Sequence, residues 1–192
     1  MANSISYAVF IASMLLCLSS SPAPFANARA SQLVRSVCKQ TQEQFGYNYR
    51  QCVKSLWKDI PIRSATNLKD LDIAVLKLAA ANAAQTKATF EKALNATDKN
   101  ANGTTAIKQC VDSYDFALGA FVFAVRGVND GDKSVTEILT QAQDDLVRCQ
   151  RALASVEVPL PMPVSTTNFW VMLYRDVAFL VTSQLFNIQK KI

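Results

Sequence analysis

Two cysteines that flank a turn at nearly equal distances constrain this 192-residue chain more than any other feature. Cys110 lies twenty residues before Asp130, and Cys149 lies nineteen residues after it, within two long apolar helical patterns. In an antiparallel helix pair, residues at equal distances from the turn lie at the same level along the helix axes, so a disulfide can join them without distortion. In the loop-entropy model this bridge adds roughly 4 kcal/mol.

A second cysteine pair brackets Gly46 in the same way, with Cys38 eight residues before it and Cys52 six residues after it. Apolar patterns at Leu33–Phe45 and Tyr49–Ile60 predict a small helical hairpin about this glycine. Two short helices bury little apolar area, so a staple worth about 3 kcal/mol matters there. Symmetry about both turns selects the pairing of first with second and third with fourth cysteine from the three connectivities.

The first thirty residues have the pattern of a secretory signal peptide. Ala8–Leu18 is almost entirely apolar and too short to span a bilayer as a helix. Small-x-small cleavage sites follow, ending at Ala28 and at Ala30. We therefore predict a signal peptide at 1–30 and a secreted domain at 31–192, rather than a membrane anchor or a buried helix.

Removal of the signal peptide leaves four of the five cysteines, because Cys17 is lost with it. An even number in an exported chain indicates two disulfides. The chain has twenty basic and fifteen acidic residues, and Arg29 is the only charged residue removed. The charges are scattered, without a basic stripe interleaved with aromatics, so binding to nucleic acid is not expected.

Apolar residues recur at steps of three and four through four segments of roughly 25 residues. Asn67 is the predicted N-cap of the first, and Ser134 with Glu137 predicts a capping box at the third. Gly127–Gly131 separates the second from the third, and Pro159–Pro163 is interpreted as a stiff linker before the fourth rather than a recognition motif. Short connections make consecutive helices antiparallel, which predicts an all-α, up-down-up-down four-helix bundle after the hairpin.

The second bundle helix is apolar on more than one side. Opposite the stripe that includes Phe121, it carries Phe116, Val122 and Phe123. One interpretation is a central bundle helix touched by two neighbours, because helices that are apolar all round are buried. The other interpretation is an exposed docking surface.

Residue types needed for most enzyme chemistry are missing. The absence of histidine removes Ser-His-Asp and Cys-His constellations and argues against catalytic zinc. Oxidised cysteines are no nucleophiles, no Gly-rich phosphate-binding loop occurs, and the adjacent Asp144 and Asp145 point in different directions on a helix. We expect a non-enzymatic binding protein that needs neither metal nor cofactor.

Two N-glycosylation sequons lie close together, at Asn95-Ala96-Thr97 and Asn102-Gly103-Thr104. Both fall between the first and second bundle helices, where an exposed loop is expected. Asn95 and Asn102 are therefore candidate glycosylation sites.

The cysteine motifs resemble a known family. They read Cys38-x-x-Thr41, Tyr49-x-x-Cys52-x-x-x-Leu56, Ile107-x-x-Cys110-x-x-x-Tyr114-x-x-Ala117 and then Cys149. Over nearly the whole mature chain this arrangement resembles the plant invertase and pectin methylesterase inhibitor family. The resemblance implies a four-helix bundle with an N-terminal hairpin, the same disulfide pairing, and an extracellular inhibitor that binds a carbohydrate-active enzyme one-to-one. It implies the apoplast or cell wall as the location, with the vacuole as the alternative, and no stable membrane insertion.

Two departures from the family pattern bear on the target. Invertase inhibitors typically carry Pro-Lys-Phe in the turn where this chain reads Gly131-Asp132-Lys133-Ser134-Val135. Pectin methylesterase inhibitors often have a Ser-Ala-Ala-Leu-Thr-like segment where Thr140–Asp145 stands. The missing Pro-Lys-Phe alone favours pectin methylesterase over invertase. A non-inhibitory extracellular protein, structural or ligand-carrying, is the alternative of another class, and an internal cavity lined by the helix that carries Phe121 and Phe123 would support it.

The second and third bundle helices are the predicted contact surface, because the bridge between them fixes their relative position and preorganised helices lose little entropy on docking. Polar groups around a few aromatic anchors are typical of protein interfaces. The alternative is that these residues are solvated or packed on another helix, which leaves the hairpin or the Gly127–Ser134 turn as the next candidate. The predicted contact residues are Gln109, Asp112, Ser113, Phe116, Gln141 and Asp145, with Phe123 as a second aromatic.

Disulfide mapping tests this topology. Mass spectrometry of the digested, non-reduced protein should find one peptide pair linked through Cys110 and Cys149, because symmetry about the turn places them together. A peptide that joins Cys38 to Cys110 would contradict the hairpin.

The absence of histidine predicts that the charge of the protein hardly changes between pH 6 and 7.5. Only the α-amino group or a strongly shifted carboxylate titrates in that window. A potentiometric titration that releases several protons there would refute this prediction.

Overall fold

A computed structural model describes residues 24–96, 101–156 and 163–187, in which helices are joined by short turns. The helices are α1 Pro24–Phe45, α2 Tyr49–Leu56, α3 Ile60–Ser64, α4 Leu68–Ala96, α5 Ala101–Asp130, α6 Val135–Ala154 and α7 Pro163–Leu185. Most of the predicted signal peptide and of the predicted proline linker lies outside the described residues. No helix in the described ranges is long and apolar enough to cross a membrane.

The predicted four-helix bundle is confirmed. Helices α4 to α7 each pack along the next in the chain, and α7 also packs along α4, which closes the bundle. The alanine-rich α4 buries Ala79 and Ala83 completely, so that neighbouring helices approach it closely. Phe90 of α4 and Tyr114 of α5 are also fully buried and bring their ring centroids within 5.5 Å.

Both disulfides that the cysteine spacing predicts are present. Cys110–Cys149 joins α5 to α6 with a Cα–Cα distance of 4.5 Å. Cys38–Cys52 joins α1 to α2 with a Cα–Cα distance of 5.7 Å. Both distances lie in the ordinary range for disulfides, and all four side chains are fully buried.

Local capping differs between two of the predicted helix starts. Asn67 accepts a hydrogen bond from the Asp70 N–H at 2.9 Å, as predicted for an N-cap. The capping box predicted at Ser134 is wrong, since its side chain makes no capping hydrogen bond. Asp132 is the nearer partner, and its carboxylate accepts from both the N–H and the hydroxyl of Ser134 at 2.8 Å.

The predicted break at Gly127–Gly131 falls at the end of that segment. Gly127 lies inside α5, which continues to Asp130, and Gly131 with φ +75° follows the helix. A Cβ atom on Gly127 would lie 2.5 Å from Cγ2 of Val135. Glycine is therefore needed at 127 for the close approach of α5 and α6, and not as a helix breaker.

The hairpin of α1 and α2 is fastened to α7 by a buried polar contact. Tyr47 donates a hydrogen bond to the Asp176 carboxylate at 2.8 Å. Asp176 also forms an ion pair with Arg175, whose side chain is almost fully buried and lies 5.6 Å from the ring centroid of Phe179. Removing one partner from a buried charged network destabilises the folded protein, so these contacts hold the hairpin in one position on the bundle.

A buried carboxyl group connects α4 with α7. Asp72 is fully buried and accepts a hydrogen bond from the Thr182 hydroxyl at 2.7 Å. Burial raises the pKa of Asp72 to about 7, and the hydrogen bond from Thr182 opposes this shift only in part. Asp72 is thus a strongly shifted carboxylate of the kind that titrates between pH 6 and 7.5.

Asp72 should make the protein less stable as the pH rises from about 4 to 7. The folded state keeps the Asp72 proton up to about pH 7, whereas the unfolded chain releases it near 3.8. The folded state therefore binds more protons in this window, and the free energy of unfolding falls with rising pH. Asp72→Asn retains an acceptor for Thr182 but cannot ionise, so its stability relative to the parent should grow by on the order of 2 kcal/mol or more across the window. Thermal unfolding from pH 4 to 7.5 measures this, and a stability difference that is constant with pH would contradict it.

Candidate partner-binding surface

Helix α5 presents an apolar face to solvent. Phe116 is 63 % exposed, Phe123 is 55 % exposed and Val122 is 45 % exposed, whereas Phe121 is fully buried. Among the described helices, α5 packs mainly against α4 on one side and α6 on the other, which leaves its outer side uncovered. Helix α5 thus touches two neighbours, as one interpretation expected, while the apolar residues on its outer side are exposed.

The side chains of Phe121 and Phe123 lie on different sides of α5. Phe121 points into the core and Phe123 points to solvent. The alternative of a non-inhibitory, ligand-carrying bundle stays a prediction.

Phe116 and Phe123 lie on one stripe of α5. Seven residues make two helical turns, so both side chains leave the helix in nearly the same direction, about 10 Å apart along its axis. Gln109 lies two turns before Phe116 on this stripe, and Asp112 lies one turn before Phe116. Both polar side chains are exposed. The outer side of α5 thus offers two aromatic and two polar side chains over about 20 Å.

The disulfide between Cys110 and Cys149 sets the level of α6 beside this stripe. Phe116 follows Cys110 by six residues, so in the antiparallel partner it lies level with residues about six before Cys149. Gln141 and Asp145 flank that level, and Gln141 is exposed. We use the term α5–α6 surface for Gln109, Asp112, Phe116, Phe123, Gln141 and Asp145.

Two predicted contact residues are less accessible than expected. Ser113 is only 1 % exposed, because it follows Cys110 by one turn and lies on the inner side of α5, so its predicted place on the outer face is wrong. Asp145 retains 16 % of its side-chain exposure and pairs with Arg148 at 3.0 Å. Burial raises the pKa of Asp145, while the Arg148 charge lowers it. Asp145 is therefore a largely covered member of the α5–α6 surface, and only a small part of its side chain is accessible to a partner.

Charges surround the exposed rings. Asp115 of α5 forms an ion pair with Lys87 of α4, and this contact raises the pKa of the Lys87 ammonium group. Lys87 also lies 3.8 Å from Glu91, so its charge is shared between two carboxylates. Asp112 is exposed one turn before Phe116, and its charge also helps to raise the pKa of Lys87. Polar and charged side chains therefore form a rim around Phe116 and Phe123.

The chemistry of the surface is that of recognition. Amides, a carboxylate and phenyl rings can form hydrogen bonds and apolar contacts, but they offer no nucleophile paired with a base. Asp144 is exposed and Asp145 is half-buried, so they do not form a shared acid-base site. In the described ranges no three His, Cys, Asp or Glu side chains cluster as metal ligands would.

The predicted glycosylation loop is shorter than the sequence suggests. Asn95 is exposed in the last turn of α4, and Asn102 belongs to the first turn of α5. Good helix formers, such as Lys92, Ala93 and Leu94, extend α4 through the first sequon position. The remaining connection, residues 97–100, lies outside the described residues, and glycosylation of either asparagine stays a prediction.

The sequence analysis did not predict a cleft that lies between the hairpin and the bundle. This cleft of about 390 Å³ takes residues from α2, α4 and α7, including Lys54, Asn82 and Trp170. The sequence gives a weak hint only, since Trp170 and Tyr174 are one turn apart and read as an ordinary apolar stripe. Their relation to Lys54 depends on where the hairpin sits, which no local pattern predicts.

Comparison with known proteins gives a family and a fold. The family model described as plant invertase/pectin methylesterase inhibitor matches residues 32–173. No curated protein is significantly similar to the chain.

Two solved structures have the same fold. The crystal structure of a pectin methylesterase inhibitor from Arabidopsis thaliana superposes with a TM-score of 0.59 and 20 % identity, over 81 % of this chain and 97 % of that one. A structure of mutant form A of a pectin methylesterase inhibitor from Arabidopsis gives a TM-score of 0.63 and 19 % identity, over 74 % of this chain and 95 % of that one. At this level of identity the likeness concerns the fold.

Proposed function

The chain belongs to the plant invertase/pectin methylesterase inhibitor family, and we propose that it is a secreted inhibitor that binds a plant pectin methylesterase one-to-one. The observation that carries this proposal is the uncovered α5–α6 surface, in which two exposed phenylalanines lie on a disulfide-linked helix pair. Exposed apolar patches that are rimmed by polar residues often mark sites of protein interaction. The family name supplies the class of partner.

Pectin methylesterase is proposed ahead of invertase because of the turn between α5 and α6. The turn reads Gly131-Asp132-Lys133-Ser134 and lacks the Pro-Lys-Phe that the invertase inhibitors typically carry. Its tip is held by the Asp132 carboxylate, which accepts two hydrogen bonds from Ser134, and these bonds lower the pKa of Asp132. An invertase of the cell wall or vacuole is the second candidate target, favoured by the shared family alone.

Parallel inhibition assays test the target. The protein without its signal peptide should inhibit a plant pectin methylesterase with an end point of one inhibitor per enzyme, and should leave a cell-wall invertase active at the same concentrations. Inhibition of invertase alone would transfer the function to the second candidate. Failure to inhibit or to bind either enzyme would refute the proposal.

The α5–α6 surface is the proposed contact with the enzyme. Helix geometry and the bridge between Cys110 and Cys149 hold the side chains in place before binding, so that little conformational entropy is lost in the complex. Aromatic anchors near the centre of an interface usually contribute most of the binding energy, and a polar rim excludes water around them. Phe116 and Phe123 are suited to the first role, and Gln109, Asp112 and Gln141 to the second.

Charge changes on the rim should weaken the complex. Asp112→Lys and Gln141→Lys place a new cation on exposed positions of α5 and α6, and each should weaken binding at least tenfold, or about 1.4 kcal/mol. Matched controls are Glu43→Lys and Gln44→Lys, which make the same changes at exposed helical positions of the hairpin. Inhibition titrations and circular dichroism measure affinity and helicity. If the hairpin variants lose affinity and the rim variants do not, the contact surface lies on the hairpin.

Truncation of the exposed rings should have a larger effect. Phe116→Ser with Phe123→Ser removes both aromatic anchors and should weaken binding at least a hundredfold, or about 2.7 kcal/mol. Both rings are mostly exposed, so thermal stability should hardly change. Ile60→Ser is the matched control, because Ile60 is 66 % exposed on α3, away from this surface. Equal affinities of the double variant and the control would exclude the rings as anchors.

A further inference from the structure

The cleft between the hairpin and the bundle has the composition of a small-molecule site. Its volume of about 390 Å³ lies within the range of ligand pockets, and polar and apolar groups both line it. It is built from three separate elements, with Lys54 on α2, Asn82 on α4 and Trp170 on α7. The hydrogen bond from Tyr47 to Asp176 holds the hairpin against α7, and this contact fixes the position of the hairpin side of the cleft.

Two aromatic rings form one wall of the cleft. Trp170 and Tyr174 lie one turn apart on α7, with ring centroids 6.2 Å apart and planes inclined by only 23°. Tyr174 is buried and Trp170 is half-buried, so the indole is the more accessible ring. The negative face of an aromatic ring attracts groups with positive edges, and the C–H groups on one face of a sugar ring are such a partner.

Two lysines also line the cleft. Lys54 lies in the last turn of α2 and Lys58 in the turn that follows, and both are exposed. Within the described residues neither lysine takes part in an ion pair, unlike Lys39, which lies 3.9 Å from Glu43. Asp59, which follows Lys58 in the sequence, has a carboxylate that accepts a hydrogen bond from the Ile62 N–H at 3.0 Å.

Neutral hydrogen-bonding groups complete the lining. Gln51 is an exposed lining residue, and the Asn82 side-chain NH₂ donates to the Leu78 carbonyl at 2.9 Å. This bond orients the Asn82 amide and leaves its oxygen available as an acceptor. The cleft thus combines amide groups for hydroxyls, an aromatic wall for a ring face, and two cations for an anion.

We propose that this cleft binds an acidic saccharide of the hexuronate class. One sugar ring lies against Trp170, its carboxylate lies between Lys54 and Lys58, and its hydroxyls bond with Gln51 and Asn82. A neutral sugar would leave two ammonium groups unused. A bare phosphate would use the lysines but not the aromatic wall.

Fluorescence titration of the protein tests the proposal without any enzyme, so its outcome is independent of the proposed inhibition. The chain contains two tryptophans, and Trp57→Phe leaves Trp170 as the only indole. The probe is trigalacturonate at about 0.15 M salt, where weak surface attraction is screened. It should change Trp170 fluorescence saturably, and the trimethyl ester, which lacks the charges, should bind at least tenfold more weakly.

Lysine variants separate the cleft from general charge effects. Lys54→Gln with Lys58→Gln should weaken binding of trigalacturonate at least tenfold, whereas Lys92→Gln with Lys108→Gln, the matched loss of two exposed lysines on α4 and α5, should not. Absence of a saturable signal at millimolar probe would overturn the proposal. So would equal binding of the ester, or equal loss in the control variant. If inorganic phosphate displaces the probe at equal concentration, the site is a phosphate site and the assignment to a uronate is wrong.

Discussion

The disulfide between Cys110 and Cys149 links α5 to α6 inside the bundle, and the geometry of the proposed contact surface depends on it. Without this link, two helices that touch along one face can slide or rotate against each other by small amounts. With it, the level of Gln141 relative to Phe116 is set by counting residues from the bridge. Gly127 supports the same arrangement, because the absent Cβ lets Val135 of α6 approach α5.

The hairpin is held by a different kind of constraint. Its own disulfide ties α1 to α2, but its place on the bundle depends on the contact of Tyr47 with Asp176 and on the buried charge of Arg175. A buried ion pair adds little net stability, but removing only one of its partners leaves an unpaired buried charge and destabilises the protein. Such a pair is therefore suited to fixing the position of one element on another. The cleft that contains Trp170 and Lys54 exists only because the hairpin is held there.

Much of the fold could be predicted from local patterns. The symmetry of the cysteines about the two turns predicted the disulfide pairing that the structure contains. In antiparallel helices, residues at equal distances from the turn lie at the same level along the helix axes. Apolar spacing predicted the bundle, because steps of three and four mark one side of a helix. The predictions that were wrong concern competing contacts: Ser134 bonds with Asp132 instead of capping its helix, and Ser113 turns inward with the disulfide side of α5.

Other features depend on packing that no single helix reveals. Phe116 and Phe123 are exposed because no described helix packs extensively over the outer side of α5, which depends on the arrangement of its neighbours. The pKa of Asp72 is raised by burial between α4 and α7, and its sequence neighbours do not indicate this. The lining of the cleft comes from three elements that are far apart in the chain.

Oxidative footprinting of the complex tests the central claim most directly. The protein, alone and bound to a plant pectin methylesterase, would be exposed to hydroxyl radicals, and modification of individual side chains would be measured by mass spectrometry. Modification of Phe116 and Phe123 should fall several-fold in the complex, while that of Ile60 should stay the same. Unchanged modification of both phenylalanines together with protection of Ile60 would contradict it.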